Sequence, residues 1–204
     1  MFFDSGDGLV FKGAMGPWYS TATKEFHLSS QEAKRLIATV VKSYEEIHGD
    51  PPKELFIHWK TRFKDAEWEG FPAGSPAKTN LVAVRIIRSQ DMKLFRMGPT
   101  PVLRGTAYGM SRNRALLWTM GYILRLQTYP GREVPNPLSV EICHGEGDLN
   151  VALKDIMKLT KVNFNACIFA DGLPVTLRFA DAVGEILTAA PAIDGPPLPF
   201  RHYI

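Results

Sequence analysis

Three polar side chains interrupt an otherwise apolar segment near the end of the sequence. The segment reads DGLPVTLRFAD (171–181) and contains Thr176, Arg178 and Asp181. Proline suits the first helical position because its missing N–H would be unsatisfied there, so Pro174 predicts a helix start. The first turn of a helix presents free N–H groups and a positive dipole end, which attract an anion such as a phosphate. Thr176 and Arg178 are therefore candidate phosphate-binding residues.

Asp181 lies about one turn further along the same predicted helix. From the residues alone, its carboxylate is a surface acid or a partner for Arg178 three residues earlier, a pairing that helices commonly show.

Two other short stretches combine basic and hydroxyl side chains. Lys60 and Arg62 directly follow the apolar run ELFIHW and would suit a phosphate, although such a sequence after a strand is more often a solvated loop. Arg104 and Thr106, which flank a glycine in LRGTAYG, are weaker candidates for binding nucleic acid. That glycine either permits close approach of a backbone or marks a bend in a strand.

The composition excludes several classes of protein. With 204 residues, 45% of them apolar, the chain can bury the core of one globular domain. No apolar run is long enough to span a membrane, so we expect a soluble, cytoplasmic protein. Two cysteines, Cys143 and Cys167, favour a reducing compartment, and the five histidines lack the spacing of a zinc site. A formal charge of +3 favours nucleic acid only weakly.

The clearest predicted helix begins at Ser29, which forms a capping box with Glu32, and ends at Gly49. A second helix is predicted from Asp148, with Lys154, Lys158 and Lys161 on its polar side. The third starts at Pro174. Its predicted buried side consists of apolar and small residues, namely Leu173, Pro174, Leu177, Ala180, Val183, Gly184 and Leu187.

Extended runs are predicted between these helices. They are MFF and LVFKG within residues 1–12, ELFIHW (54–59), LVAVRIIR (81–88), MKLFR (92–96), and the pieces VLRGTAYG, ALLWTMGYI and PLSVEI within residues 102–142. Strands with intervening helices over this length predict an α/β layer architecture in a single domain.

Several ordered motifs resemble one family. They are ELFIHWKTRF (54–63), VLRGTAYG (102–109), LQTYPG (126–131), LTKVNFNACIFADGLPVTLRFAD (159–181) and the ending PPLPFRHYI. Together they resemble the PIWI domain of prokaryotic Argonautes, specifically the short, catalytically inactive branch. The resemblance covers most of the chain and implies an RNase H-like fold, with a mixed central sheet flanked by helices. It also implies guide-directed binding of nucleic acid.

The resemblance further implies a PIWI domain, residues 1–204, that is incomplete at its N-terminus. In the family, a MID domain and a first strand with a catalytic carboxylate precede the strand that here corresponds to residues 1–3. Two-metal cleavage needs several converging carboxylates. The resemblance puts Lys60 at one carboxylate position, and Asp7 and Asp181 remain as vestigial candidates. An ammonium repels a metal cation, so we expect no target cleavage.

The family also implies particular contacts. Lys161, Asn163 and Asn165 lie in LTKVNFN, where family members place polar residues that contact the nucleic-acid backbone. Ile204 is the last residue, and its carboxylate would help to hold a Mg²⁺ ion against the 5′ phosphate of the guide. The alternative is that the terminal segment only packs into the core.

The partners implied by the resemblance are a guide strand of RNA or DNA, a complementary target strand, and a MID domain or upstream chain segment. A TIR-like or sirtuin-like effector that carries an APAZ segment would respond to invading DNA. Two alternatives stay open. One is an active RNase H-like nuclease. The other is a protein-interaction scaffold, in which the tryptophans Trp18, Trp59, Trp68 and Trp118 would serve an interface as well as a core.

Overall fold

The computed structural model of the protein describes residues 19–20, 25–162 and 172–189. Two short strands, β1 (Tyr19–Ser20) and β2 (Glu25–Phe26), pair with each other in antiparallel fashion. The remaining strands and α-helices are, in chain order, α1 (Ser30–His48), β3 (Glu54–Trp59), α2 (Asp65–Ala73), β4 (Asn80–Arg88), β5 (Ala107–Gly109), β6 (Arg114–Leu117), β7 (Leu138–His144), α3 (Leu149–Leu159) and α4 (Val175–Ala189).

Five strands form a mixed sheet with the order β3-β4-β7-β6-β5. The β3–β4 pair is parallel, and the other three pairs are antiparallel. The register places Trp59 beside Arg85, and it places Leu138 beside both Arg88 and Leu117. The last residues of β3, β4 and β6 and the first residue of β7 therefore lie at the same end of the strands. We refer to this end of the sheet, marked by Trp59, Arg88, Leu117 and Leu138, as the site end.

Helices cover both faces of the sheet because the strands alternate apolar side chains between two cores. One core contains Val82 and Val84 of β4 together with Ile156 of α3 and Leu177 of α4. The other contains Leu81 and Ala83 of β4, the α1 residues Ala33, Ile37 and Val41, and Phe71 of α2. The predicted α/β class, with a mixed sheet flanked by helices, is confirmed.

The predicted start and end of α1 and the predicted start of α3 are confirmed by their caps. The Ser29 hydroxyl accepts a hydrogen bond from the N–H of Glu32 at 3.2 Å, and Gly49 ends α1 in the left-handed conformation with φ of 84°. The Asp148 carboxylate accepts from the N–H of Asn150 at 2.7 Å and so caps α3. The strands at residues 54–59, 81–88 and 138–142 are confirmed as β3, β4 and the greater part of β7.

Three expectations about the elements are wrong or incomplete. Residues 92–96 do not form a strand but lie in an exposed loop, where Phe95 is 76% and Met97 is 95% exposed. Ala180, expected on the buried side of α4, is exposed, and Phe179 is buried instead. The extended pieces predicted within residues 102–123 are longer than the strands observed there, which are β5 at residues 107–109 and β6 at residues 114–117.

Helix α2 is the element that the sequence does not signal. It contains Gly70 and Pro72 and has no regular apolar stripe. Gly70 is required by close packing, because a Cβ there would lie 2.2 Å from the carbonyl oxygen of Ser30 in α1. The helix is stabilised instead by tertiary contacts, which override weak local propensity.

A buried carboxylate connects α2 to the chain before α1. Glu67 is fully buried and accepts hydrogen bonds from the backbone N–H of Leu28 at 2.6 Å and of Lys64 at 2.9 Å. Its second oxygen also lies 3.1 Å from Nδ1 of His27. A buried carboxylate is stable only when its oxygens have such partners, so these contacts hold the start of α1 against α2.

Candidate nucleic-acid interface

Strand β3 delivers two polar side chains to the site end on the face covered by α3 and α4. Its residues Leu55 and Ile57 face the α1–α2 core, and Phe56 packs on the opposite core. Because side chains alternate along a strand, His58 and Lys60 follow Phe56 onto the α3–α4 face. Lys60 is the first residue beyond the end of β3 and is exposed there.

Helix α4 begins at the same end of the sheet. Gly172 has φ of 82°, and a Cβ at this position would lie 2.7 Å from Cγ of Met120 and 2.8 Å from the hydroxyl of Thr119. The chain therefore enters α4 directly against the loop that follows β6. The carbonyl of Pro174 accepts hydrogen bonds from the N–H groups of residues 177 and 178, both at 3.0 Å, so Pro174 immediately precedes the helix as its cap.

The first turns of α4 contact β3 through two polar pairs. In the first pair, Nδ1 of His58 lies 2.8 Å from the hydroxyl of Thr176. Burial lowers the pKa of His58 to about 4, and the nearby Asp155 carboxylate only partly opposes this shift. His58 is therefore neutral at pH 7, and its imidazole orients Thr176 without adding charge to the site.

The second pair joins Lys60 and Asp181. The Lys60 ammonium contacts the Asp181 carboxylate directly, although the two residues are 121 positions apart in the sequence. The side chains are 42% and 47% exposed, so a ligand in solvent can reach both of them. The structure thus brings together two residues that the sequence singled out for different reasons.

The other basic candidates lie in different surroundings. Arg62 is exposed, and it acts electrostatically on Cys143, whose side chain belongs to the α1–α2 side. Arg178 is exposed on α4, close in sequence to Thr176. Lys161, predicted on the polar side of the helix that begins after Asp148, is exposed but lies beyond that helix, because α3 ends at Leu159.

Arg104 and Thr106 lie further along the site end, beside β6. Two guanidinium nitrogens of Arg104, Nε and one terminal nitrogen, are buried with no hydrogen-bond partner among the described residues. This desolvation lowers the pKa of Arg104. Thr106 is half-buried, and its carbonyl accepts from the N–H of Trp118 at 2.8 Å. Asp7, Asn163, Asn165 and Ile204, also singled out by the sequence, lie outside the described residues.

Sequence reasoning missed His58, Asp155 and Gly172. A signal for His58 was present, because it occupies an inward position in the alternation of β3 immediately before the basic segment. No local pattern distinguishes Gly172, whose requirement comes from the loop at Thr119 and Met120.

The two polar pairs between α4 and the end of β3 contain one carboxylate, that of Asp181. Mg²⁺ and Ca²⁺ prefer oxygen ligands, and catalytic cation pairs are held by several carboxylates. Within the described ranges, no group of three or more His, Cys, Asp or Glu residues could hold a metal ion. Asp181 contributes one carboxylate, and its partner is the Lys60 ammonium.

Comparison with known proteins gives a structural match and no sequence match. No protein-family model matches the chain, and no curated protein matches it. Among solved structures, Clostridium butyricum Argonaute bound to a guide DNA and a 19-mer target DNA has a TM-score of 0.64 at 18% identity, covering 80% of this chain. Aquifex aeolicus Argonaute gives a TM-score of 0.60 at 20% identity over 86% of this chain. The A. aeolicus protein with externally bound siRNA gives 0.59 at 18% identity over 85%.

The chain has an Argonaute-like fold. The match confirms the α/β, RNase H-like arrangement of a mixed sheet flanked by helices. The chain spans 21% to 24% of the length of these Argonaute chains, so the similarity concerns one part of them. Among the described residues, no helix is both long and apolar enough to cross a membrane.

Proposed function

We propose that this Argonaute-like chain binds a guide strand and its complementary target through their sugar–phosphate backbones and does not cut the target. The observation that carries the proposal is the Lys60–Asp181 pair at the site end. An exposed ammonium suits a phosphate, whereas cleavage by two metal ions requires converging carboxylates at the reacting phosphate. The pair supports the binding role and argues against the alternative of an active nuclease.

The fold adds support by analogy only. One similar structure holds a guide DNA and a target DNA, and another carries an externally bound siRNA. In this proposal residues 1–204 form a PIWI domain that acts beside a MID domain, and Ile204 helps to hold Mg²⁺ at the guide 5′ phosphate. The bound duplex then controls an associated effector in defence against invading DNA.

Binding is tested with fluorescent oligonucleotides at several salt concentrations. We expect the chain to bind single strands and duplexes with an affinity that falls as salt rises, because each phosphate contact releases counterions. We also expect 5′-phosphorylated guides to bind more tightly than 5′-hydroxyl guides when the MID domain is present. Absence of binding even at low salt would remove the proposal and leave the scaffold alternative.

Cleavage is tested with an end-labelled target and a matched guide in Mg²⁺ or Mn²⁺. We expect the target to remain at full length. A product that requires the guide would show an active nuclease and contradict the assignment of Lys60.

A protein-interaction role is the second candidate, and the loop between β4 and β5 favours it. Residues 90–99 are exposed without interruption and include the large apolar side chains of Phe95 and Met97. Exposed apolar residues grouped in one segment are typical of protein interfaces. Replacing both by serine should leave oligonucleotide binding unchanged if the loop contacts protein. A loss of oligonucleotide binding would place the loop in the nucleic-acid interface instead.

A further inference from the structure

The Lys60 ammonium has more hydrogen-bonding capacity than its contact with Asp181 uses. A lysine ammonium carries three N–H donors and no acceptor. One of them serves the Asp181 carboxylate, and the exposure of both side chains leaves the ammonium reachable from solvent. A second anion can therefore contact the same ammonium while the ion pair stays intact.

Asp181 alone would oppose the binding of a phosphate. Two negative charges repel each other unless a cation lies between them. Lys60 supplies such a cation from within the chain, because it contacts the carboxylate on one side and remains accessible on the other. Its aliphatic stem is anchored at the end of β3, so the charge cannot diffuse away as a free ion does.

The Lys60 ammonium lowers the affinity of the Asp181 carboxylate for a divalent cation. The cation would have to displace or closely approach an ammonium of the same sign. The described residues around Asp181 also do not provide a group of three possible ligands. The carboxylate is thus occupied by a cation that belongs to the protein.

The geometry points to Lys60 as a resident cation that bridges Asp181 to a backbone phosphate of bound nucleic acid and excludes divalent ions from this carboxylate. Phosphate binding at the site end then requires no added metal ion. Asp181 acts as a positioning residue, since it fixes the ammonium at the point where Lys60 leaves β3. The phosphate contact rests on the proposed function, whereas the exclusion of divalent ions concerns the protein alone.

The exclusion is tested by titrating the whole chain with Mn²⁺ in the absence of nucleic acid. In Lys60→Asp, two carboxylates replace the ion pair, and we expect one additional Mn²⁺ site with a dissociation constant on the order of 1 mM, typical of weak oxygen-ligand sites. The additional site should be absent from the unmodified chain and from Lys60→Asp/Asp181→Asn. If Lys60→Asp melts like the unmodified chain yet gains no Mn²⁺ site, the exclusion is wrong.

The conservative variant Asp181→Asn gives a second test that does not depend on reversing a charge. If Lys60 excludes divalent ions, this variant and the unmodified chain should bind Mn²⁺ equally. Weaker Mn²⁺ binding in Asp181→Asn would show that the carboxylate already holds a metal ion, and the inference would fail.

The phosphate contact is tested by the salt dependence of oligonucleotide binding in EDTA. Lys60→Ala should lower the slope of log affinity against log salt by about 0.7 to 0.9, the value for one lost phosphate contact. Lys154→Ala, on the exposed side of α3, is the matched control and should keep the slope. An unchanged slope in Lys60→Ala would remove the bridging role. If the unmodified chain binds no oligonucleotide, the proposed function fails, while the Mn²⁺ titrations still decide the exclusion of divalent ions.

Discussion

Replacing His58 by asparagine should make the fold less sensitive to mild acid. The asparagine amide can occupy the position of Nδ1 and keep a hydrogen bond with Thr176, but it does not titrate. The charged group that acts on the imidazole is Asp155 of α3. Lys60, with its partner Asp181, follows His58 by two residues along the chain. The substitution leaves these groups in place and removes only the titration of the ring.

The size of the effect follows from the two pKa values of His58. The pKa of the ring is 6.5 in the unfolded chain and about 4 in the folded protein. As the pH falls, the unfolded chain therefore takes up the proton before the folded protein does. The unfolded state therefore binds more protons between these values, so the free energy of unfolding falls as the pH falls. The loss amounts to about 2 kcal/mol between pH 8 and pH 5, and to about 3 kcal/mol once the pH is below 4.

Urea denaturation between pH 8 and pH 5, followed by tryptophan fluorescence, measures this difference. Most carboxylates stay ionised in that range, so the unmodified chain and the variant share the rest of their pH dependence. His48→Asn, at the exposed end of α1, is measured alongside as the control for removing a histidine from the chain. Parallel curves for the unmodified chain and His58→Asn would refute the assignment of a depressed pKa to the buried ring.

Two further predictions concern the fold. Glu67→Ala removes a fully buried carboxylate that satisfies two backbone N–H groups, so we expect a loss of about 3 kcal/mol or more in the free energy of unfolding. Gly172→Ala and Gly49→Ala both place a side chain at positive φ, of 82° and 84°, which costs about 1 to 2 kcal/mol. Of the two added side chains, only the one at residue 172 also meets neighbouring atoms, so Gly172→Ala should lower the free energy of unfolding clearly more than Gly49→Ala. Equal losses in urea denaturation would contradict the close approach of residue 172 to Thr119 and Met120.

Features that depend on nearby residues were predictable from the sequence. The start of α1 at Ser29, its end at Gly49 and the cap of α3 at Asp148 each depend on contacts within four residues. Strand β4 is largely a continuous apolar run, as expected for a strand that is covered on both faces, and β3, the first strand in the sheet order, contains a shorter apolar run at residues 55–57.

Features that depend on distant residues were not predictable from patterns. The loop at residues 92–96 has the composition of a strand, but no described strand pairs with it. Helix α2 lacks a stripe and is held by Gly70 against α1. Alternation and composition carry no information on which strand a segment will meet.

At the candidate site too, individual residues were predictable from the sequence, whereas the contacts between distant residues were not. The sequence indicated Lys60, Thr176, Arg178 and Asp181 separately, from a basic segment and a helix start. It did not indicate that Lys60 contacts Asp181, because that contact spans 121 positions and exists only once α4 lies beside β3. The partner of Thr176 was missed for the same reason, since His58 is 118 positions away.

Both polar pairs of the site end connect α4 to β3 or to the residue directly after it, so a displacement of α4 would separate both. If α4 undocks while the sheet and the α1–α2 layer stay folded, His58 loses Thr176 in the same event in which Lys60 loses Asp181. The amide hydrogens in the first turns of α4 would then exchange with solvent through a single opening, with a free energy below that of global unfolding. A bound strand that touches both Lys60 and α4 would close this opening and slow exchange along the helix, including at residues that it never contacts. Binding of a strand at Lys60 and α4 would therefore raise the local stability of α4.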